Sequence, residues 1–349
     1  MGECLVLRWL AVLLLALSAV PAHAQDSDFI VIAHRGASGE RPEHTLASYE
    51  LAIEQGADYI EPDLVPTRDG VLVARHENEL SDTTDVASRE EFADRRRTKT
   101  IDGQLVAGWF AEDFTLAELR TLRAKERMPG LRAANTSYDG LESIPTFDDV
   151  VALARQESLR LGRQIGVLPE IKHPAYFRRL GLPLEELLTE RILALGLRND
   201  EIMVQSFEPT SLRRLSVMTR VPLVQLVDAE SAPNDFLRTG DGRSYADLVE
   251  PRGLREIATY AQVLAPHKDL VVPRTADGCL GEPTRLVDHA HRAGLGVQVW
   301  TFRAERRFLP TATDFRTELT RFASLGLQGV FADHPDQAVT ALRKPAVNV

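Results

Sequence analysis

The chain is organised around one polar stretch near its start, His34-Arg35-Gly36-Ala37-Ser38-Gly39-Glu40-Arg41-Pro42-Glu43-His44-Thr45. An apolar run rich in β-branched residues, 29–33, precedes it, and an amphipathic segment with apolar residues at Leu46, Tyr49 and Ile53 follows it. This pattern predicts a strand, a polar loop and then a helix. Because substrates bind at the carboxyl ends of strands in α/β proteins, we expect the loop to carry part of a functional site.

The composition is that of a soluble globular chain. It has 349 residues, of which 44% are hydrophobic and 26% are charged, so it is long enough for one large domain with a single core. The formal net charge of −10 argues against a general nucleic-acid-binding protein and against docking on anionic membranes, since both favour basic surfaces. A phosphate-bearing small substrate stays compatible, because a local basic pocket can lie on an acidic protein.

Residues 1–24 are expected to be a secretory signal peptide. Arg8 precedes an apolar run that is too short to span a bilayer, and Ala22-His23-Ala24 matches a cleavage pattern. The mature chain, 25–349, would then be periplasmic or secreted. It would keep a single cysteine, Cys279, so we expect no internal disulfide.

Strand-like and helix-like segments alternate along the rest of the chain. Nine strands are predicted, at 29–33, 58–64, 71–75, 164–171, 202–207, 222–227, 262–265, 296–301 and 329–332. Capping patterns at Thr115 with Glu118 and at Thr146 with Asp149 predict two helix starts. Repeated βα units indicate an open doubly wound sheet or a closed TIM-type (β/α)8 barrel, and polar residues at the ends of many strands favour the barrel. The surplus strand is expected to be one arm of a hairpin.

The segment 77–140 breaks this rhythm, directly after the strand that ends at His76. It is polar and carries the charged runs Arg89-Glu90-Glu91 and Arg95-Arg96-Arg97. We interpret it as a small insertion in the barrel domain with a solvated face. The alternative is a lid that shapes the substrate pocket from above.

A second informative stretch runs from Glu61 to His76 and contains the turn signal Thr67-Arg68-Asp69-Gly70. It predicts a hairpin. If the two ends of this turn pair, Asp63 lies opposite Ala74 and Glu61 lies opposite His76, so that two carboxylates and an imidazole share one face. A register shifted by one residue would place His76 on the other face.

Three acidic residues are candidate metal ligands. Glu61 and Asp63 lie two residues apart on one predicted strand, and Glu170 lies near the end of another, with Lys172 two residues further on. Carboxylate oxygens suit Ca²⁺ or Mg²⁺, whereas Zn²⁺ would favour His and Cys ligands. Two carboxylates alone would also fit an exposed strand edge, but the third favours a cation site.

Two histidines and two basic residues complete the candidate site. His34 and His76 end two predicted strands and titrate near neutral pH, so one could accept a proton while the other donates one. Arg35 and Lys172 offer positive charge to phosphate oxygens. Together with a cation, these groups indicate phosphoester cleavage by in-line displacement. Surface or packing roles are expected for His173, His267, His289, His291, His334 and Cys279.

Several motifs occur in a specific order along nearly the whole mature chain. They are His34-Arg35-Gly36, Pro42-Glu43-His44-Thr45, Glu61-x-Asp63, Thr67-Arg68-Asp69-Gly70, His76, Glu170-x-Lys172, Gln205-Ser206-Phe207 and Gly329-Val330-Phe331-Ala332-Asp333-x-Pro335-Asp336. In this order and spacing the chain resembles the glycerophosphodiester phosphodiesterase family, and most of all its exported, calcium-dependent periplasmic type. The resemblance implies a TIM-type barrel with a small insertion after the second histidine.

The resemblance also implies a role for each candidate residue. The acid/base pair would be His34 and His76. A divalent cation, Ca²⁺ in preference to Mg²⁺, would be held by Glu61, Asp63 and Glu170. Arg35 and Lys172 would bind the phosphate. Glu43 would support the site. Phe207 and Trp300 would line the glycerol side.

The implied reaction is hydrolysis of a glycerophosphodiester to glycerol 3-phosphate and an alcohol such as choline, ethanolamine or glycerol. The neighbouring glycerol hydroxyl would attack first and form a cyclic phosphate, which water then opens. Three positions depart from the common family pattern. His44 stands where most members have Asn, although the periplasmic type resembles this chain there; Glu77 replaces the Asp that usually follows the second histidine; and Ala332 replaces a frequent Thr.

Two other functions are compatible with the same fold. A related barrel phosphodiesterase could act on intact phospholipid, but it would need an apolar rim for acyl chains, and the predicted loops contain no such cluster. An exported binding protein could keep the barrel without turnover, but the chain has every acid/base and metal position. We expect a small-molecule partner, no nucleic acid and no stable membrane insertion, and the sequence leaves homodimerisation open.

Overall fold

The computed structural model describes residues 29–343, and the predicted signal peptide, 1–24, lies outside the described residues. The strands are β1 Ile30–His34, β2 Tyr59–Glu61, β3 Asp63–Pro66, β4 Leu72–Ala74, β5 Arg97–Ile101, β6 Gln104–Gly108, β7 Gly166–Val167, β8 Glu170–Ile171, β9 Val204–Ser206, β10 Leu223–Val227, β11 Val263–Pro266, β12 Gly296–Phe302 and β13 Gly329–Ala332. The helices are α1 Leu46–Glu54, α2 Leu116–Leu119, α3 Phe147–Leu161, α4 Pro174–Arg179, α5 Leu184–Leu195, α6 Pro209–Met218, α7 Asn234–Thr239, α8 Tyr245–Val249, α9 Pro251–Ile257, α10 Lys268–Val271, α11 Leu286–Arg292, α12 Phe315–Ala323 and α13 Pro335–Leu342.

The main sheet is curled and has eleven strands in the order β4-β3-β8-β9-β10-β11-β12-β13-β1-β2-β7. Its strands pair in parallel, except that β3 and β4 are antiparallel. Helices follow most of the strands, so the architecture is a TIM-like α/β fold, as predicted. The regular ladder is nevertheless not a closed barrel of eight uninterrupted strands.

Two prolines explain the interruptions. Pro62 separates β2 from β3, and Pro169 lies between β7 and β8. Proline has no N–H group and cannot donate a hydrogen bond to a strand ladder, so the regular pairing stops at each of these positions. On one side of the prolines β2 pairs with β7, and on the other side β3 pairs with β8.

The core has two parts because side chains alternate between the two faces of each strand. On β1, Val31 and Ala33 join the large apolar cluster that packs against the helices. The intervening Ile32 belongs to a second cluster together with Leu168, Met203, Val224, Leu226, Val263, Ala265 and Phe331. Both faces are therefore covered, as expected for parallel strands that read as continuous apolar runs.

The helices begin where the capping patterns predict. Thr115 accepts a hydrogen bond from the Glu118 N–H and Thr146 from the Asp149 N–H, and each carboxylate bonds back to the capping residue, which forms a capping box. The opening loop ends in the same way, because the Thr45 side chain caps α1. These caps fix the point at which each polar loop turns into a helix.

The predicted register of the β3–β4 hairpin is wrong by one residue. Leu64 pairs with Ala74, so Asp63 lies opposite Arg75 instead of Ala74. The loop has three residues, 68–70, and Gly70 closes it at φ 78°, a left-handed conformation that glycine adopts without strain. Because β4 ends at Ala74, strand alternation does not set the direction of the His76 side chain.

The segment 77–140 contains the β5–β6 hairpin, α2 and four short 3₁₀ turns, at Val86–Ser88, Glu90–Arg95, Ala111–Asp113 and Ala133–Tyr138. It has buried aromatic residues of its own, and the rings of Phe92 and Phe114 meet edge to face at 5.0 Å. The segment packs on the β3–β4 turn, where the Arg68 N–H donates to the Phe114 carbonyl at 2.7 Å. Within residues 29–343, no helix combines the length and apolar character needed to cross a membrane.

Candidate active site

The carboxyl ends of neighbouring strands bring the predicted residues together. His34 at the end of β1 pairs with Glu61 at the end of β2, and Glu170 on β8 pairs with both Asp63 and Gln205. These ends surround a cavity of about 400 Å³, counted to its open mouth. Seven predicted residues line this cavity: His34, Arg35, Glu61, His76, Glu170, Phe207 and Trp300. The other three, Glu43, Asp63 and Lys172, contact lining residues.

The three acidic residues form a compact buried cluster. Each of Glu61, Asp63 and Glu170 offers an oxygen, and these oxygens lie within 4.8 Å of one another. Neighbours satisfy part of the cluster: Gln205 donates to Glu61 at 3.0 Å, and Lys172 to Glu170 at 2.8 Å. The Asp63 Oδ1 atom is buried and has no hydrogen-bond partner. A buried carboxylate oxygen without a partner is costly, and a cation would satisfy it.

The electrostatics of this cluster also favour a cation. Burial, together with the charges of Asp63 and Glu170, raises the pKa of Glu61 well above its ordinary value. Burial, with Asp63 beside it, raises the pKa of Glu170 to about 8. Burial alone would raise the pKa of Asp63 as well, but Lys172 and His76 hold it well below its ordinary value. Three carboxylates therefore share too little positive charge to ionise together, and oxygen ligands of this kind suit Ca²⁺ or Mg²⁺.

Each of the two candidate catalytic histidines is held by a carboxylate at its Nδ1 atom. His34 contacts Asp333 at 2.7 Å, and His76 forms a short hydrogen bond with Glu77. A carboxylate at Nδ1 fixes the tautomer of a neutral imidazole and leaves Nε2 as the proton acceptor. Burial and then Arg35 lower the pKa of both rings, to about 4 for His34 and about 3 for His76, so both are neutral at pH 7.

Arg35 is fixed at the centre of the site by its neighbours. Its guanidinium lies 3.3 Å from Glu43 and 3.4 Å from Asp63, and its N–H donates to Glu61 at 2.9 Å. Its φ of 62° is left-handed, a conformation that costs a non-glycine residue about 1 kcal/mol or more. The hydrogen bond from the Arg35 backbone N–H to Glu61 helps to hold this conformation.

Two aromatic rings form an apolar wall opposite the charged groups. Phe207 and Trp300 meet edge to face with their centroids 5.5 Å apart. The Trp300 indole donates to the Ala265 carbonyl at 2.8 Å, and His267 packs on its ring at 4.9 Å. Lys172 lies 5.8 Å from the Phe207 ring centroid, so one side of the wall borders positive charge.

A larger open groove adjoins this cavity. Its volume is about 770 Å³, and it shares Glu170 and Phe207 with the smaller cavity. Acidic residues from several elements line it: Asp102, Glu208, Asp228 and Glu230. Asp102 lies in the β5–β6 turn and accepts a hydrogen bond from His173 at 2.5 Å, so the segment 77–140 contributes to this wall.

The sequence reasoning missed several residues that hold the site. His44 is fully buried between the Tyr49 hydroxyl at 2.7 Å and Asp63 at 2.9 Å. Arg75 is also buried, and it donates to four backbone carbonyls, two of them in the opening loop. His44, Gln205 and Asp333 occur in the motifs quoted above, so their positions carried a signal. Arg75 directly precedes His76 but gave no such signal.

The segment 77–140 supplies two further arginines that no sequence pattern indicated. Arg127 contacts Glu43 at 2.6 Å and Glu77 at 2.5 Å. Arg132 contacts Asp333 at 2.5 Å, and Arg303 from outside the segment contacts the same carboxylate at 2.9 Å.

Comparison with known proteins shows the family and the fold of this chain. The family model described as "Glycerophosphoryl diester phosphodiesterase family" matches residues 34–337. A glycerophosphodiester phosphodiesterase of Arabidopsis thaliana is 38% identical over 80% of this chain and 75% of its own length, and one of Haemophilus influenzae is 28% identical over 91% and 90%. A phosphodiesterase of Oleispira antarctica, solved with the product sn-glycerol-3-phosphate, has a TM-score of 0.60 at 21% identity and covers 89% of this chain and 96% of its own. That likeness shows the fold, and the family match over most of the chain shows that this protein belongs to the glycerophosphoryl diester phosphodiesterase family.

Proposed function

We propose that this protein hydrolyses glycerophosphodiesters to glycerol 3-phosphate and an alcohol. Curated relatives that align over most of the chain are glycerophosphodiester phosphodiesterases, and the Oleispira antarctica structure contains sn-glycerol-3-phosphate. The observation that carries the proposal is the cavity itself. It combines three clustered carboxylates, two histidines that are each held by a carboxylate, and an arginine, at the ends of adjacent strands.

The acidic cluster is the proposed cation site. Glu61, Asp63 and Glu170 would hold the ion, and the free Asp63 oxygen and the raised pKa values of the two glutamates support this assignment. When bound, the cation would neutralise charge on the phosphate oxygens and on the groups that form and leave. Both Ca²⁺ and Mg²⁺ accept oxygen ligands of this kind. We propose Ca²⁺ as the bound ion and Mg²⁺ as the alternative.

His34 and His76 are the proposed acid and base. The Nε2 atom of one ring takes the proton of the attacking glycerol hydroxyl as the new P–O bond forms. The bond to the alcohol oxygen then breaks, and that oxygen takes a proton from the other ring. The anionic phosphate raises the pKa of a neighbouring imidazole, which allows this second ring to carry a proton at neutral pH. Water then opens the cyclic phosphate with the same two groups.

The remaining residues bind and orient the substrate. Arg35 and Lys172 would contact phosphate oxygens, and Glu43 fixes the Arg35 guanidinium from behind. Phe207 and Trp300 would pack against the glycerol carbons. The alcohol would extend into the larger groove, because that groove shares Glu170 and Phe207 with the catalytic cavity.

Three further points belong to the same proposal. We infer that β2–β3 and β7–β8 are two proline-interrupted strands, which would give the predicted ring of eight, and the parallel bridge of Val167 with Ile202 supports this count. We also propose that residues 1–24 direct the protein to the periplasm or outside the cell, on the charge and cleavage pattern alone. The domain boundaries and a homodimer stay predictions.

The purified protein should release glycerol 3-phosphate from glycerophosphocholine, and a chelator should abolish this release. Adding back Ca²⁺ or Mg²⁺ separately would identify the ion that restores activity. Intact phosphatidylcholine serves as the comparison substrate. Release of a product from the intact lipid alone would favour the lipid-hydrolase alternative, and no release from either substrate would favour a binding protein.

A further inference from the structure

The segment 77–140 reaches both carboxylates that hold the proposed catalytic histidines. One arginine of this segment contacts Glu77, the partner of His76, and another contacts Asp333, the partner of His34. In both cases the imidazole uses one carboxylate oxygen and the arginine uses the other. The two arrangements are therefore built in the same way, although the two histidines come from different strands.

The first arrangement runs from Arg127 through Glu77 to His76. The Arg127 guanidinium forms two hydrogen bonds with Glu43, at 2.6 and 2.7 Å, and one with Glu77, at 2.5 Å. Glu77 and His76 follow the end of β4, so no strand ladder fixes their backbone. The side chain of Glu77 is 38% exposed, and Arg127 is what ties it to the buried floor of the site.

The second arrangement runs from Arg132 through Asp333 to His34. Arg132 is almost fully buried, and it also donates to Glu305 at 2.5 Å and to the Ser38 carbonyl at 2.7 Å. Here the carboxylate has a second arginine, because Arg303 contacts the same oxygen of Asp333 at 2.9 Å. Asp333 is thus held from two directions, whereas Glu77 is held by one arginine.

These contacts have a consequence for catalysis. A carboxylate that is held by an arginine stays ionised and keeps its orientation, and so keeps the Nε2 atom of its imidazole directed at the substrate. It also stabilises the imidazolium that forms when the ring accepts a proton. Loss of such a contact should lower kcat more than it raises KM, since the carboxylate does not touch the substrate.

We propose that the segment 77–140 is a positioning element of the active site, in which Arg127 acts through Glu77 on His76 and Arg132 acts through Asp333 on His34. This inference rests on the roles proposed above for the two histidines. It also predicts which arginine matters more for kcat. Loss of Arg127 should lower kcat more than loss of Arg132, because Arg303 still holds Asp333 when Arg132 is lost.

The test compares kcat and KM of Arg127→Met, Arg127→Lys and Arg132→Met with those of the wild-type protein on glycerophosphocholine. Arg127→Met should lower kcat roughly tenfold or more, as expected for partners of functional histidines, and Arg132→Met should lower it less. Arg127→Lys keeps a charged donor and should recover part of the loss. Arg97→Ala is the matched control, because Arg97 belongs to the same segment, is 60% exposed and should leave kcat unchanged.

A double-mutant cycle tests whether Arg127 acts through Glu77. If it does, Arg127→Met should lower kcat little further when Glu77→Gln is already present. The inference would be overturned if the double variant lost kcat by the product of the two single-variant losses. A kcat of Arg127→Met within twofold of wild type would overturn it as well. Wild-type activity is measured first: a wild-type protein with no activity refutes the proposed function, whereas an active wild type with an unaffected Arg127→Met refutes only this inference. Arg127→Lys and Glu77→Gln keep the test decisive if Arg127→Met does not fold.

Discussion

Replacing His34 by alanine should abolish most activity while leaving the fold nearly intact. The ring makes one hydrogen bond with the Asp333 carboxylate, at 2.7 Å, and lies at the wall of an open cavity that water can fill. Asp333 keeps Arg132 and Arg303 as partners, so it is not left as an unpaired buried charge. We therefore expect the free energy of unfolding to fall by about 1.5–3 kcal/mol, the contribution of one such hydrogen bond to a charged group.

The effect on catalysis should be larger. A positioned acid or base contributes about 10²–10⁴-fold in rate, which corresponds to about 3–5 kcal/mol in the activation free energy. The rate is measured as release of glycerol 3-phosphate from glycerophosphocholine at saturating cation, and the unfolding free energy by urea denaturation of the same samples. His76→Ala should behave alike, and His291→Ala, on the exposed face of α11, is the control.

The reasoning is refuted if His34→Ala keeps kcat within tenfold of wild type. It is also refuted if the loss of activity matches the fraction of unfolded protein, because His34 would then act only on stability. A normal rate for both histidine variants would remove the acid/base assignment entirely.

The remaining predictions concern the acidic cluster and a buried arginine. Glu61→Gln should raise the Ca²⁺ concentration for half-maximal activity roughly tenfold or more, as measured by adding Ca²⁺ to chelator-treated protein, and an unchanged requirement would exclude Glu61 as a ligand. Burial first, and its acidic neighbour, raise the pKa of Glu170 from 4.5 to about 8, so the folded metal-free protein keeps a proton that the unfolded chain has lost. The stability of the metal-free protein should therefore fall as the pH rises from 7 to 8, a window in which the two catalytic histidines are neutral in the folded protein and mostly neutral in the unfolded chain. Thermal denaturation of metal-free wild type and Glu170→Gln checks this, and equal slopes with pH would contradict it. Arg75→Met should lower the free energy of unfolding by about 2–4 kcal/mol, because it leaves buried carbonyls without donors, and a loss below about 1 kcal/mol in urea denaturation would show that water replaces the guanidinium.

Much of the fold could be predicted because its signals are local. β-branched runs marked the strands, and Thr115 and Thr146 marked two helix starts through side chains three residues away. The hairpin register was not predictable, because Thr67-Arg68-Asp69-Gly70 allows a loop of two or three residues, and only the left-handed Gly70 in the folded chain decides between them. The interruption of the ladder at Pro62, in contrast, could be predicted, because the sequence itself shows a proline there and proline has no N–H group to donate.

Part of the candidate site could likewise be predicted from local sequence signals, and part could not. Residues at strand ends could be placed together, because parallel strands carry their carboxyl ends to one edge of a sheet. Arg127 and Arg132 could not, since they reach partners 84 and 201 residues away, Glu43 and Asp333, from a segment without periodic structure. Contacts of this kind depend on how the segment packs as a whole, which hydrophobic periodicity does not reveal. His76 lines the predicted cavity although the hairpin register from which this was predicted is wrong. The register does not decide the position of His76, because the strand ends at Ala74.

The most direct test is a crystal structure of the protein grown with Ca²⁺ and glycerol 3-phosphate, with the ion located by its anomalous scattering. We expect one ion bound by oxygens of Glu61, Asp63 and Glu170 at about 2.3–2.6 Å, with the phosphate against Arg35 and between the two histidines. An ion bound away from these carboxylates, or phosphate bound outside this cavity, would contradict the account.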